Sequence, residues 1–176
     1  KIKSFSLMRI GLDVSGGDFA PKVNLDGLKL AMSELPSCIF YLFGDGEEIK
    51  AHPSYLGIDE DRVKLVHAPE QITFKDNPTR AILRKPKSSI SVGLHYLSTR
   101  KIDVFSGTGN TGAMLVGSIY KSTTIPGVIR PCITSTLPTI TGDKTVLLDV
   151  GSNADCKADV LSCLLYTSDA ADDANC

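Results

Sequence analysis

Hydrophobic positions along the chain follow two periods in turn. Residues 9–14 form a short apolar run that ends in a Gly-Gly turn, which predicts a buried strand. Residues 22–35 carry Leu25, Leu28, Met32 and Leu35 at spacings of three and four, one apolar helix face closed by Pro36. Residues 38–43 are again a continuous apolar run, ended by Gly44-Asp45-Gly46, and predict a second strand. A short helix over 47–52 and a third strand over 62–67 follow. Residues 69–79 are polar, hold two prolines and read as a loop, with a helical turn over 79–83. The segment 88–99 sets Ile90, Leu94 and Leu97 on one helix face behind a serine cap at Ser88 or Ser89. A strand over 103–106, a helix over 109–121, strands over 132–137 and 145–150, and a helix beginning at 158–162 complete the series.

Strands alternating with helices argue for an α/β fold: a doubly wound, mostly parallel sheet with helices on both faces. In such sheets ligands bind beyond the carboxyl ends of the strands. The glycine-rich turns of this chain fall at those ends.

Composition narrows the function classes. The 176 residues are 42% hydrophobic and 22% charged, ordinary for a globular domain. A formal net charge of −1 supplies no broad basic field for nucleic acid or anionic lipid. The five cysteines (Cys38, Cys132, Cys156, Cys163, Cys176) are scattered, without C-x-x-C or zinc-ligand spacing, and fit a reducing compartment. No apolar run approaches the ~18 residues that a membrane span requires. The two ends read as foreign to the domain. Residues 1–7 form an upstream extension before Met8, and residues 163–176 (Cys-Leu-Leu-Tyr-Thr-Ser-Asp-Ala-Ala-Asp-Asp and onward) resemble a translated sequencing-library adapter. The domain proper is therefore expected over residues 8–162.

Four clusters just after strands carry candidate chemistry. In Asp13-Val14-Ser15-Gly16-Gly17-Asp18, paired glycines let the backbone turn sharply and approach a ligand closely. Asp13 and Asp18 flank that turn, placed either to serve a ligand or to bond nearby amides and cap the next helix. Lys85-Pro86-Lys87-Ser88-Ser89 sets a cation and two hydroxyls at a helix start, either an anion site or a plain serine cap. Gly107-Thr108-Gly109-Asn110-Thr111-Gly112 matches the dinucleotide fingerprint literally, but it follows a late strand and no ribose-binding acid stands about 20 residues on. What remains is an anion cradle at a helix start, and phosphate suits it better than a dinucleotide. The fourth cluster, Asp149-Val150-Gly151-Ser152-Asn153-Ala154-Asp155-Cys156-Lys157, gathers acid, amide and cation at a turn. Cys156 has no histidine nearby in sequence and reads as a small apolar residue rather than a nucleophile. His52, His67 and His95 stand apart from one another and carry no readable triad or metal pattern.

Taken together, these clusters resemble the PlsX-type phosphate acyltransferases. The resemblance rests on Ile10-Gly-Leu-Asp-Val-Ser-Gly-Gly-Asp-Phe-Ala-Pro21, Tyr41-Leu-Phe-Gly-Asp45, His67-Ala-Pro-Glu70, Pro78-Thr79 and Lys85-Pro-Lys-Ser-Ser89. It continues through Gly109-Asn-Thr-Gly-Ala113, Ile125-Pro-Gly127, Arg130-Pro131, Thr136-Leu-Pro-Thr139 and Leu148-Asp-Val-Gly-Ser-Asn-Ala-Asp-Cys-Lys157, in the family's order. Ser15, Gly107, Thr108 and Ser152 depart from the residues common there, by small changes. The resemblance implies a Rossmann-like fold of the isocitrate/isopropylmalate-dehydrogenase kind, truncated here, since the family's chain continues further.

The implied reaction joins an acyl group from acyl-[acyl carrier protein] to inorganic phosphate, giving acyl phosphate for phospholipid synthesis with no cofactor. Site residues carried over are Asp18, Lys85, Asn110, Asn153, Asp155 and Lys157 as catalytic, with Gly16, Gly17, Ser88, Ser89, Gly109, Thr111 and Gly112 holding phosphate. A cytoplasmic homodimer, touching the membrane peripherally through the absent part, is implied as well. The fragment alone is expected to be inactive and poorly soluble. Competing readings are a phosphotransacetylase-like enzyme using acyl-CoA, an isocitrate-dehydrogenase-like enzyme, and a non-catalytic nucleotide-binding module.

Overall fold

The computed structural model of the chain describes residues 7–121, 128–129, 131–151 and 155–173. It divides into two compact units, residues 1–121 and 122–176, each treated by itself. Of the extension expected over residues 1–7, residues 1–6 lie outside the described residues.

The first unit is built on strands β1 (Arg9–Asp13), β2 (Ile39–Gly44), β3 (Val63–His67) and β4 (Val104–Ser106). All pair in parallel, in the order β3-β2-β1-β4. The helices are α1 (Lys22–Glu34), α2 (Gly46–Ala51), α3 (Pro78–Arg84), α4 (Ser89–Ser98) and α5 (Thr111–Lys121). The alternation of β2 explains why both sheet faces are covered. Phe40 and Leu42 join Leu25, Leu28 and Met32 of α1 in one core. Tyr41 and Phe43 turn to the other face, where both stack edge-on against Tyr96 of α4. Phe43 meets Phe105 of β4 in the same way. A second core forms among Ile82, Ile90, Leu94 and Ala113, from α3, α4 and α5. Fully burying one such aliphatic side chain stabilises the fold by about 1.5–3 kcal/mol, so these two layers fix the unit.

Polar groups set the ends of the elements. Arg62 closes α1: its guanidinium donates to the carbonyls of Met32, Leu35 and Cys38 at 3.1, 2.6 and 3.2 Å. This satisfies helix-end acceptors that would otherwise be orphaned. Arg9 grips Asp103 through Nε at 3.0 Å and Nη2 at 2.7 Å, tying the start of β1 to the start of β4. Ser88 caps α4 by accepting from the Ser91 amide at 3.2 Å, which resolves the choice between Ser88 and Ser89.

The chain runs outward from β1 to β2 and β3, then crosses back to β4 on the other side of β1. Strand order therefore reverses between β1 and β4. That is the topological switch point where open α/β sheets bind ligands.

The second unit differs from its expected place in the parallel sheet. Its strands β5 (Thr134–Pro138) and β6 (Lys144–Leu148) pair antiparallel, as a two-stranded sheet of their own. Their tight connection, with the Thr139 amide bonded to the Asp143 carbonyl and Gly142 at φ 91°, is a hairpin turn rather than a crossover. Helix α6 (Ala158–Asp173) runs on through the segment expected to be foreign. Within it Leu164 is buried and Cys163 Sγ accepts from the Ile129 amide at 3.4 Å.

Candidate functional site

Three loops meet at the carboxyl end of the sheet: residues 14–21 after β1, residues 68–77 after β3, and residues 107–110 after β4. The first and third are clasped at the switch point. Asn24 of α1 donates through Nδ2 to the carbonyls of Val14 and Gly16 at 2.9 and 2.8 Å. The Thr108 hydroxyl lies 3.0 Å from the Gly16 carbonyl and 3.1 Å from Asn24 Oδ1, and donates its one proton between them. The two turns also meet backbone to backbone: a β-carbon at Gly16 would stand 2.9 Å from both the Cα and the N of Gly109. Gly17 sits at φ 101°, in the region that only glycine adopts readily.

Asp13 is enclosed where the turns meet, with only 1% of its surface exposed. Its Oδ1 accepts from the Ser15 amide at 3.1 Å. Its Oδ2 has no hydrogen-bond partner among the described residues and is walled by Gly16 and Gly109. Burial pushes this carboxyl above the usual carboxylate range. The Ser89 hydroxyl and the amides of Ser15 and Gly16 favour the charged form and offset the shift only in part.

The middle loop is tied to both sides. Gln71 donates through Nε2 to the Ser15 carbonyl at 2.6 Å. Lys85 donates to the Gln71 carbonyl at 2.9 Å and pairs with Asp76 at 2.8 Å. Asp76 also accepts from the amide and hydroxyl of Thr73, and Lys85 together with these bonds holds its carboxyl at about 2. Asn110 completes the frame. Its Oδ1 accepts from the Ala113 amide at 2.9 Å and so caps α5, while its Nδ2 donates to the Thr73 carbonyl at 2.9 Å. The amides of Thr111 and Gly112 lie in the first turn of α5, where the helix itself supplies no acceptor. A cleft of about 100 Å³ opens beside these loops, lined in part by Ser15, Pro21, Asp45 and Gln71.

The structure thus brings together Gly16, Gly17, Ser89, Gly109, Asn110, Thr111 and Gly112, with Lys85 reaching the same frame through Asp76 and Gln71. Ser88 is fully buried, and its hydroxyl donates to Ser91 Oγ at 2.9 Å. Asp18 is exposed, and it does not cap α1, whose N-cap is Pro21 without a side-chain bond. Asp155 and Lys157 are exposed members of the second unit, and Asn153 lies outside the described residues. There Cys156 Sγ lies 3.5 Å from Asp149 Oδ2, half-buried at the end of the hairpin. No group of His, Cys, Asp and Glu among the described residues is arranged to hold a metal ion. Sequence reasoning did not place Asp76, Thr73 or Gln71 in the site. Their roles arise from contacts 9–56 positions apart in the chain, which no local pattern encodes.

Comparison with known proteins agrees with the motifs. Residues 8–164 match the profile of a family described as "Fatty acid synthesis protein". The chain is 42% identical over 154 residues to a phosphate acyltransferase of Exiguobacterium, covering 88% of this chain and 46% of that protein. It is 37% identical over 154 residues to the phosphate acyltransferase of Bacillus subtilis, covering 88% of this chain and 45% of that protein. A phosphate acyltransferase of Magnetococcus marinus is 33% identical over 154 residues, again 88% of this chain and 44% of the relative. The chain therefore spans about half the length of these curated relatives. With its motifs in order, its switch-point cradle and this match across most of its length, the chain belongs to the fatty acid synthesis protein family, alongside relatives named phosphate acyltransferase.

Proposed function

We propose that the full-length protein carrying this segment is a phosphate acyltransferase that moves an acyl group from acyl-[acyl carrier protein] to inorganic phosphate. The observation that supports the reading is the meeting of two glycine turns beside the first turn of α5, at the point where strand order reverses.

In this reaction no enzyme nucleophile is needed. A phosphate oxygen attacks the thioester carbonyl, the C–O bond forms, and the C–S bond breaks as the thiolate leaves and takes up a proton. The protein then acts by holding phosphate near the carbonyl and stabilising the oxyanion. The amides of Thr111 and Gly112 serve as donors, and Gly16, Gly17 and Gly109 let the ligand approach the backbone. Asn110 and Lys85 hold the 68–77 loop against the cradle, while Ser88 and Ser89 shape its floor. Asn153, Asp155 and Lys157 serve as further catalytic residues by the family resemblance, and Asp18 orients a donor. No helix of the described residues is long and apolar enough to cross a membrane. In this proposal the enzyme works as a cytoplasmic homodimer whose remaining half supplies the peripheral membrane contact.

Asn110→Ala and Lys85→Ala in the full-length enzyme test the assignment. The expected result is a higher phosphate KM in both, together with loss of turnover. Unchanged KM and turnover in both would contradict it. Acyl transfer from acyl-CoA but not from carrier protein would instead favour a phosphotransacetylase-like enzyme.

A further inference from the structure

Asp13 does something the cradle's architecture alone does not require. Its side chain is 1% exposed, one oxygen is held by the Ser15 amide, and the other has no partner among the described residues. A β-carbon on Gly16 would collide with that oxygen. One on Gly109 would stand 3.2 Å from it, and one on Gly107 would stand 3.0 Å from the Asp13 β-carbon. Three glycines on two loops are thus shaped around one carboxyl group. A neutral amide of the same size would fill the space and keep the Ser15 contact without the cost of burying a charge. What aspartate adds over asparagine is an exchangeable proton.

The surroundings leave that proton to govern the charge of the cradle. From α4 the neighbour is Ser89. From the loop after β4 they are Gly107 and Gly109, from its own turn Ser15 and Gly16, and from β2 the Phe43 carbonyl that receives the Val14 amide. None of these is a lysine, arginine or histidine. Among the described residues no fixed cation balances the carboxylate, and burial already favours the protonated form. An ionised Asp13 lies directly behind the Gly16 and Gly109 backbone, where poor screening makes it oppose an anion on the other side. It also draws the Ser15 and Gly16 amides toward itself.

We propose that Asp13 is the positioning residue of this cradle and takes up one proton from solvent when an anion settles on the two glycine turns. The inference rests on the phosphate reading above. Only an O–H bond forms at the carboxyl, and the proton returns to solvent when the anion leaves.

The test is calorimetric titration of the full-length enzyme with sulfate, in buffers of different ionisation enthalpy. Sulfate has no proton to gain or lose near neutrality, so any uptake belongs to the protein. The expected result is uptake approaching one proton per sulfate over the pH range between the free and the occupied carboxyl. In Asp13→Asn the uptake disappears, binding persists, and its strength no longer falls as pH rises. Ser89→Ala removes a hydroxyl that favours the charged carboxylate, so the onset of uptake moves to higher pH. Sulfate binding without uptake in the wild type, or equal uptake in a folded Asp13→Asn, would overturn the proposal and leave the phosphate reading intact. If Asp13→Asn does not fold, an unmoved onset in folded Ser89→Ala overturns it. Absence of binding with both sulfate and phosphate would bring down the anion cradle itself, and this inference with it.

Discussion

A methyl group at position 16 would press on Asp13 Oδ2 and on the Gly109 backbone, neither of which has room to yield. Gly27, in the middle of α1, has nothing within 4 Å of where its β-carbon would be. The same substitution should therefore have opposite signs at the two sites. Gly16→Ala should destabilise the chain by about 1–3 kcal/mol, as overpacking does. Gly27→Ala should stabilise it by about 0.5–1 kcal/mol through helix propensity. Denaturant unfolding of both variants checks the pair, and equal effects would contradict the packing described for the turns. Three carboxyls divide the pH dependence in the same residue-by-residue way. Lys85 holds Asp76, and Arg9 holds Asp103, at about 2, against an ordinary value of 3.8. The stability these two contribute is present above 3.8 and is lost as pH falls through about 2. Asp13 acts in the opposite sense. Its raised value means that the folded chain binds the proton more tightly, so stability declines as pH rises from 3.8 through the raised value. Unfolding followed across the acid range should show both limbs, and Asp13→Asn should remove the upper one alone.

At the scale of elements, Asn110 joins a helix cap to a loop tether, and substitution can separate the two. Asn110→Asp keeps an acceptor for the Ala113 amide but loses the donor that holds the Thr73 carbonyl. Asn110→Ala loses both and should cost roughly 1–2 kcal/mol, in the range of a lost N-cap. Thermal unfolding should rank wild type above Asn110→Asp and Asn110→Ala lowest. An Asn110→Ala protein as stable as wild type would contradict the cap. How far the elements were legible follows from their periods. Helix α1 and strand β2 declare themselves because the apolar faces repeat at a helix period in one and run continuously in the other. The two strands of the second unit were legible as strands but not in direction. All residues of β5 are exposed, so no buried face marks its partner, and the only cue to an antiparallel pair was the short glycine-containing turn before Asp143. The glycine turns and Asn110 could be read because their backbone demands are local. The tethers from Gln71, Thr73 and Asp76 could not, because they depend on how β3 and β4 flank β1 and β2.

For the whole molecule, one arrangement accounts for most of what the first unit shows. Parallel strands in the order β3-β2-β1-β4 bring the turns after β1 and β4 together, and the apolar layers of α1 and of α4 with α5 hold them there. The proposed phosphate chemistry follows from where the first turn of α5 falls beside these turns. The central proposal is that phosphate binds the first turn of α5 beside Asn110, and Asn110→Asp tests it by charge, since it keeps the helix cap and sets a carboxylate beside the cradle. The measurement is the phosphate KM of the full-length enzyme and of Asn110→Asp. Both are supplied with palmitoyl-[acyl carrier protein], and acyl phosphate is trapped with hydroxylamine. The account predicts phosphate-dependent product from the wild type and a phosphate KM raised about tenfold or more in the variant, equivalent to roughly 1.4 kcal/mol of lost binding. An unchanged phosphate KM in a folded Asn110→Asp, or no phosphate-dependent product from the folded wild type, would contradict it.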